Sequence, residues 1–458
     1  MNEDIQTSSV PRRHVTDVHH ACGKVHCMSD FLIGAATAAH QVEGNNRHSD
    51  YWIMEHVKHS DFAEPSGLAC DHYNRYDEDI RLLAESGCNA YRFGIEWARI
   101  EPEEGRFDPD EIVHYRRVLD CCREHGVTPV VTLMHFSSPA WLIGKGGWRS
   151  RDVAGYFSRY ARYVAEQLGD RLSYICTINE ANMGIQLHKV IRDMMKAGKR
   201  SEGGVQVGQS SGLDMKSILL GMLEQGRAFH TSPLKINSFL KPRSEKTERF
   251  VMEAHMAAKK AIKEVLPEVK VGLTLSLFDY QPTKAGRDAA VKLWKEDFGW
   301  YLPFIREDDF LGVQNYSRKI VDENGALEPA ADAPLTQMGY EDYPGSIGNV
   351  LMRVARHFPG ELMVTENGIA TSDDERRCAF IREALESVMA AKKRGVPVTG
   401  YFHWSLLDNF EWQAGFDKTF GLIAVDRTTQ IRYPKNSLKV LGDLAIQFKD
   451  AGESGSTV

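Results

Sequence analysis

Eight short apolar runs, separated by segments of helical character, constrain the fold of this chain more than any other feature. They span 31–36, 90–95, 127–134, 174–178, 271–277, 309–314, 362–365 and 398–403. Each has the length of a strand, and most run straight into a polar or aromatic group rather than a bare turn. A segment from about Tyr73 to Ser86 puts Tyr73, Tyr76, Ile80 and Leu83 on one helical face, with Gly87 placed to stop it. The next helix has a full start signal in Asp108 as N-cap, Pro109 in the first turn and Glu111 three residues after the cap, and Gly126 ends it. Helices are also expected over 150–168 and 246–266, whereas 186–212 reads as a long polar connection after the fourth strand.

Strands and helices that alternate with no break in composition predict an α/β protein, a single-domain (β/α)8 TIM barrel over 29–449. A lead-in of residues 1–28 and a disordered tail of 450–458 would flank it. The 458 residues fit one such barrel with insertions. A doubly wound open sheet is the main alternative, but no glycine-rich phosphate loop follows the first strand to support it.

In a barrel the carboxyl ends of the strands converge, so residues distant in sequence share one site. The segment Val364-Thr365-Glu366-Asn367-Gly368 delivers a carboxylate where a buried strand emerges into a loop, and Tyr174 to Ile178 runs in the same way into Asn179 and Glu180. Two apolar strands, each delivering one Glu at its carboxyl end, are what a two-carboxylate hydrolase needs. Other strand ends offer Gln41, Arg92, His135, Tyr316 and Trp404 with Glu411 and Trp412. Taken singly, His135 is as well explained by a structural role and Trp404 by the core; together they match a polyhydroxylated ligand. Aromatic faces suit the apolar C–H faces of a sugar, and amide, imidazole and carboxylate groups suit its hydroxyls. Arg92 and the Tyr316 hydroxyl, placed near Glu366, would hold it ionised as a nucleophile.

The net charge of -7, with no basic block, excludes nucleic acid and an anionic membrane surface as expected partners. No apolar segment of signal-peptide type opens the chain, and no run of eighteen apolar residues occurs, so a soluble, cytoplasmic protein is expected. The eight cysteines are scattered rather than spaced as a disulfide framework, as in a reducing compartment. Cys22 and Cys27, with His19, His20 and His26 nearby, match no standard zinc spacing. No metal and no cofactor are expected.

In its motifs the chain resembles glycoside hydrolase family 1, the β-glucosidase family, over residues 31 to about 436. The matching segments, in the family's order, include FLIGAATAAHQVEG, YRFGIEWARIEP, TLMHFSSPAWL, TINEAN, DFLGVQNYS, VTENGIA and GYFHWSLLDNFEW. The resemblance implies a TIM barrel and retaining hydrolysis of a small β-glycoside, with Glu180 as acid/base and Glu366 as nucleophile. It also implies that Gln41, His135, Asn179, Glu411 and Trp412 bind sugar hydroxyls above a Trp404 platform. The chain departs from the family in Ala181 where Pro is usual, Phe136 for Trp, Gln314 for Asn and Thr419 for Arg. Transglycosylation and action on 6-phosphorylated sugars are the alternatives on the same scaffold, and a non-catalytic glycan binder is a third. Lys418 suits a phosphate, but Glu411 and Phe420 do not. The loops expected at 186–232, 279–300 and 324–348 would meet the aglycone and match no motif, and the sequence carries no signal of oligomeric state.

Overall fold

The computed structural model describes residues 31–197 and 215–454. Eight parallel strands close into a barrel: β1 Leu32–Ala36, β2 Ala90–Gly94, β3 Thr128–Met134, β4 Tyr174–Ile178, β5 Lys270–Ser276, β6 Phe310–Gln314, β7 Glu361–Asn367 and β8 Val398–Trp404. Each strand pairs with its neighbours in sequence, and β8 closes on β1 with Leu32 opposite Gly400 and Ala36 opposite Trp404. The (β/α)8 expectation is met strand for strand, with boundaries that move by one or two residues.

Side chains alternate between two apolar layers because successive residues of a strand point to opposite faces. Leu32, Ala90, Val130, Cys176, Phe310, Met363 and Phe402 fill the barrel interior. Ile33, Tyr91, Val131, Ile175, Leu311, Val364 and Tyr401 point outward into a second core beneath the helices. That outer core is covered by α1 His72–Glu85, α2 Pro109–Glu124, α3 Val153–Leu168, α4 Glu245–Val265, α5 Ser346–Val354, α6 Asp374–Lys393 and α7 Asn436–Ser454. The start of α2 forms as its sequence dictates: Asp108 caps it by accepting from the Asp110 backbone N–H at 2.9 Å.

Two readings of the connections are corrected. The polar stretch after β4 begins with a helix, Met183–Ala197. Met183, Leu187, Val190 and Met194 have helical spacing, but the interspersed His188, Lys189, Arg192 and Asp193 obscured it. The rest of that connection to residue 214 lies outside the described residues; a further helix, Met215–Ala228, follows it. The expected loops at 279–300 and 324–348 are partly regular as well. A small sheet joins Asp279–Pro282 to Arg318–Asp322 in parallel, and the latter to Gly325–Ala326 as a hairpin. Asn324-Gly325 at its tip is a turn signal of the ordinary hairpin kind, stabilised here by Asp322 accepting from the Asn324 and Gly325 N–H groups.

The helix α7 runs to Ser454, five residues into the segment expected as a tail. Cys22 and Cys27 lie outside the described residues. Among the described residues six cysteines are free thiols, no cluster of His, Cys, Asp or Glu could hold a metal ion, and no helix is long and apolar enough to cross a membrane.

One close approach in the barrel ties fold to site. Gly312 of β6 faces the interior between its neighbours, where a Cβ would stand 2.6 Å from Thr274 Cγ2 of β5 and 2.8 Å from Thr365 Oγ1 of β7. Replacing Gly312 by Ala should therefore displace Thr274, whose hydroxyl holds the strand-end turn described below. We expect Gly312→Ala to lower stability by about 1–3 kcal/mol in denaturant unfolding and to reduce kcat/KM together with it.

Candidate active site

Interior parity delivers most of the site. Arg92 shares the inward face of β2 with Ala90, and Gln314 and Tyr316 continue the inward row of Phe310 and Gly312 on β6. Glu366 does not follow from parity. Met363 and Thr365 point inward, so strict alternation would send residue 366 outward. Register shifts in β7 between Val364 and Glu366 against β6, and between Val364 and Asn367 against β8, break the alternation and turn Glu366 into the barrel mouth.

Glu180 reaches the mouth by a different device. Its backbone lies in the left-handed region at φ 43°, as do those of Phe136 at 70° and Trp412 at 49°. For non-glycine residues such a conformation costs on the order of 1–3 kcal/mol and persists only where surrounding contacts enforce it. At Glu180 those contacts come from Thr274: its Oγ1 accepts from the Glu180 N–H at 2.8 Å, and its carbonyl accepts from the Ala181 N–H at 3.0 Å.

Glu366 is 4% exposed and takes three donors. Arg92 Nη1 donates to Oε1 at 2.5 Å, Gln314 Nε2 to Oε1 at 2.9 Å, and the Tyr316 hydroxyl to Oε2 at 2.7 Å. Arg92 also donates through Nη2 to Asn179 Oδ1 at 2.6 Å, and that oxygen accepts from Gln314 at 2.7 Å and Thr274 at 3.1 Å. With three donors on Oδ1, the Asn179 amide is fixed, and its Nδ2 donates to His135 Nε2 at 3.1 Å. His135 must then carry its proton on Nδ1, an atom buried without a partner. Burial and the nearby Arg92 push the His135 pKa well below its ordinary value, so the ring is neutral.

The aromatic side of the site is continuous with this network. The His135 ring lies 5.5 Å from Trp404 and 6.4 Å from Trp412, near parallel to both. Gln41 donates to Glu411 Oε2 at 3.1 Å and to the Phe410 carbonyl at 2.7 Å, and Asn409 and Trp404 also donate to Glu411. All ten residues read from the sequence, Gln41, Arg92, His135, Asn179, Glu180, Tyr316, Glu366, Trp404, Glu411 and Trp412, thus stand in one buried constellation.

Sequence reasoning passed over four contributors. Thr274 and Ser276 come from β5, the strand to which no site residue was assigned; Ser276 bonds the Glu180 carboxyl. Small hydroxyls are too common to carry a signal. Asn409 could have been suspected beside Glu411, and Gln314 shares the parity of Tyr316 but stood out only as a departure from the family.

Electrostatics separate the two central carboxyls. Burial raises both, and the charge of Glu366 raises Glu180 further, well above its ordinary value. For Glu366 burial is opposed by Arg92, Tyr316 and Gln314. The expectation that Arg92 and Tyr316 lower it therefore describes two of several opposing effects, of which burial is the largest. One proton shared by such a pair resides on Glu180. Glu411 is pushed up to about 8 by burial, against hydrogen bonds from Asn409 and Gln41, and the charge of Glu366 adds to the rise.

A profile of glycosyl hydrolase family 1 matches residues 24–200 and 308–449. The chain belongs to glycosyl hydrolase family 1. It is 32% identical to beta-glucosidase A of Thermotoga maritima over 89% of this chain and 95% of that one. Among solved structures, beta-glycosidase BGL167 shares 40% identity at a TM-score of 0.82, covering 92% of this chain and 97% of its own. The beta-glucosidase from Thermotoga maritima in complex with deoxynojirimycin superposes with a TM-score of 0.73 at 29% identity, covering 92% of this chain and 98% of its own. Family membership makes the protein a glycoside hydrolase. The stretch between the two matched segments carries β5, with Thr274 and Ser276.

Arg92 is fully buried, and its guanidinium neutralises Glu366. Removing one partner of a buried pair leaves the other charge uncompensated, at a cost of about 3–5 kcal/mol. Arg92→Met should lower stability by that order. In the folded fraction it should also raise the Glu366 pKa, so the acidic limb of the kcat/KM profile should move to higher pH.

Proposed function

We propose that the protein hydrolyses small unphosphorylated β-D-glycosides, β-glucosides foremost, by double displacement with retention at the anomeric carbon. The observation that carries this reading is the division of labour between two buried carboxyls: Glu366 held by Arg92, Gln314 and Tyr316, and Glu180 raised by burial beside it. In this reading Glu366, ionised, attacks the anomeric carbon, while Glu180 gives its proton to the departing oxygen. Attack removes the charge from Glu366 and weakens the field on Glu180. The Glu180 pKa falls, and the same carboxylate takes a proton from the incoming water in the second step.

Sugar binding follows from the remaining groups. His135 offers an Nδ1–H, Asn179 a second amide hydrogen, Gln41 its carbonyl oxygen and Glu411 a carboxyl, around the indoles of Trp404 and Trp412. Glu411 also disfavours 6-phosphorylated sugars, since this buried carboxyl supplies no cation to balance a phosphate and, where ionised, would repel it. Phe420, buried against Tyr316, adds no cation there. The name beta-glucosidase, borne by the Thermotoga maritima relative, supports glucose as the first sugar to test.

Because Glu366 must be ionised and Glu180 protonated, kcat/KM should rise with pH through the first pKa and fall through the second. Burial raises both groups, so the whole bell should lie above the ordinary carboxylate range. Glu180→Gln should slow cleavage of poor leaving groups by about 10²- to 10⁴-fold and hardly affect activated aryl glycosides, which need no proton; equal losses on both would remove Glu180 from the role of acid.

Glu366→Ala should abolish hydrolysis of ordinary β-glycosides. Added azide should occupy the vacated space and convert an activated β-glucoside into the α-glycosyl azide, whereas the wild type should release the β-anomer first. An α-anomer as first wild-type product would overturn retention. Running the wild type with and without an alcohol acceptor divides hydrolysis from transfer, because both use the same residues.

A further inference from the structure

Gln314 is fully buried on the inward row of β6, and its amide nitrogen contacts two acceptors at once. Nε2 donates to Glu366 Oε1 at 2.9 Å and to Asn179 Oδ1 at 2.7 Å. An amide nitrogen has two hydrogens, so each acceptor receives one. Turned over, the amide would press its carbonyl against a carboxylate oxygen and an amide oxygen, which fixes its orientation. Its own Oε1 is buried without a partner, a cost that an apolar side chain of similar size would avoid. Packing alone therefore does not account for the amide.

Arg92 spans the same two acceptors, through Nη1 to Glu366 Oε1 and Nη2 to Asn179 Oδ1. The four bonds form a closed ring: Arg92, Glu366, Gln314, Asn179 and back to Arg92. With Gln314 removed, Arg92 alone would join the two acceptors; Glu366 would keep Tyr316 as its other donor and Asn179 would keep Thr274, but no second link would hold the two in a fixed relation.

We propose that Gln314 is a positioning residue that couples the grip of Asn179 on the sugar to the orientation of Glu366. This rests on the reading of Glu366 as the nucleophile. Asn179 shares two donors with the attacking carboxylate, so the sugar hydroxyl within its reach is the one beside the anomeric carbon, at C2. Holding Asn179 and Glu366 in a fixed relation converts binding of that hydroxyl into alignment for attack, where small displacements cost large factors in rate. The Gln314 donor also favours the ionised form of Glu366 against burial.

The test uses Gln314→Leu and Gln314→Asn in the full chain. An aryl β-glucoside and its 2-deoxy analogue are each measured across pH. Glu366 is faced by Arg92, His135, Glu180, Tyr316 and Glu411, all unchanged in these variants. Gln314→Leu should lower kcat by about tenfold or more, the scale of one hydrogen bond to a charged group, with little change in KM. Its acidic limb should move to higher pH, and the advantage of glucoside over 2-deoxyglucoside should shrink. Gln314→Asn, one methylene shorter, reaches one acceptor at a time, so it should recover the acidic limb or the C2 discrimination but not both; it also carries the test if the Leu variant fails to fold. A folded variant with wild-type acidic limb and wild-type C2 discrimination overturns the coupling, even if kcat falls uniformly. Glu366→Ala, assayed in parallel, separates the layers: if it still hydrolyses ordinary glycosides, the nucleophile reading falls and this proposal with it. If it is inactive while both Gln314 variants behave as wild type, only the coupling falls.

Discussion

The buried contact between Arg92 and Glu366 is the interaction on which the site depends. A carboxylate that is 4% exposed would be driven to its neutral form by the loss of water. Arg92, itself fully buried, keeps a charge there and spreads its second nitrogen to Asn179. Burial raises the Glu180 pKa, and the charge kept on Glu366 raises it further, because a negative charge beside a second buried carboxyl opposes its ionisation. The asymmetry between two chemically identical side chains thus comes from which of them holds the arginine.

The barrel makes this arrangement possible at a low conformational cost. Arg92 on β2, Gln314 on β6 and the pair Thr274 and Ser276 on β5 line the inward face, and the hydrogen-bonded ladder fixes their relative heights. Where regular geometry does not suffice, the chain deviates locally. The register shift of β7 turns Glu366 inward, and left-handed residues at Phe136, Glu180 and Trp412 turn the chain over the mouth. These deviations are held by particular contacts, of which the Thr274 hydroxyl and carbonyl beneath Glu180 are the clearest. The same small strand residue therefore supports a backbone turn and an acceptor of the Arg92 network.

Gln314 and Thr274 illustrate how a site can be complete in its chemistry and still depend on residues with no chemistry of their own. Neither would attack, protonate or stack on a sugar. Each fixes an atom that would: Thr274 the peptide of Glu180, and Gln314 the distance between Asn179 and Glu366. Gly312 lies between them, and its missing side chain is what lets Thr274 and Thr365 come close across β6.

The sequence by itself determined the class of fold and the main members of the site. Strand-length apolar runs alternating with helical periods left few architectures open, and Glu180, Glu366 and the indoles at strand ends carried recognisable chemistry. The cap at Asp108 was legible because its interaction is local. The helix at Met183–Ala197 was missed because polar residues diluted a correct helical spacing, and the small sheet beyond β5 because its strands are short and pair across distant segments. Tertiary structure alone decided that residue 366 faces inward, since parity pointed outward and only the ladder with β6 and β8 shifts it. The contact of Arg92 with Glu366 was expected from the sequence but is made only in the folded barrel, and the fold alone brings Thr274, Ser276 and Gln314 to it. Those relations join residues up to 274 positions apart, and neither local propensity nor spacing encodes them.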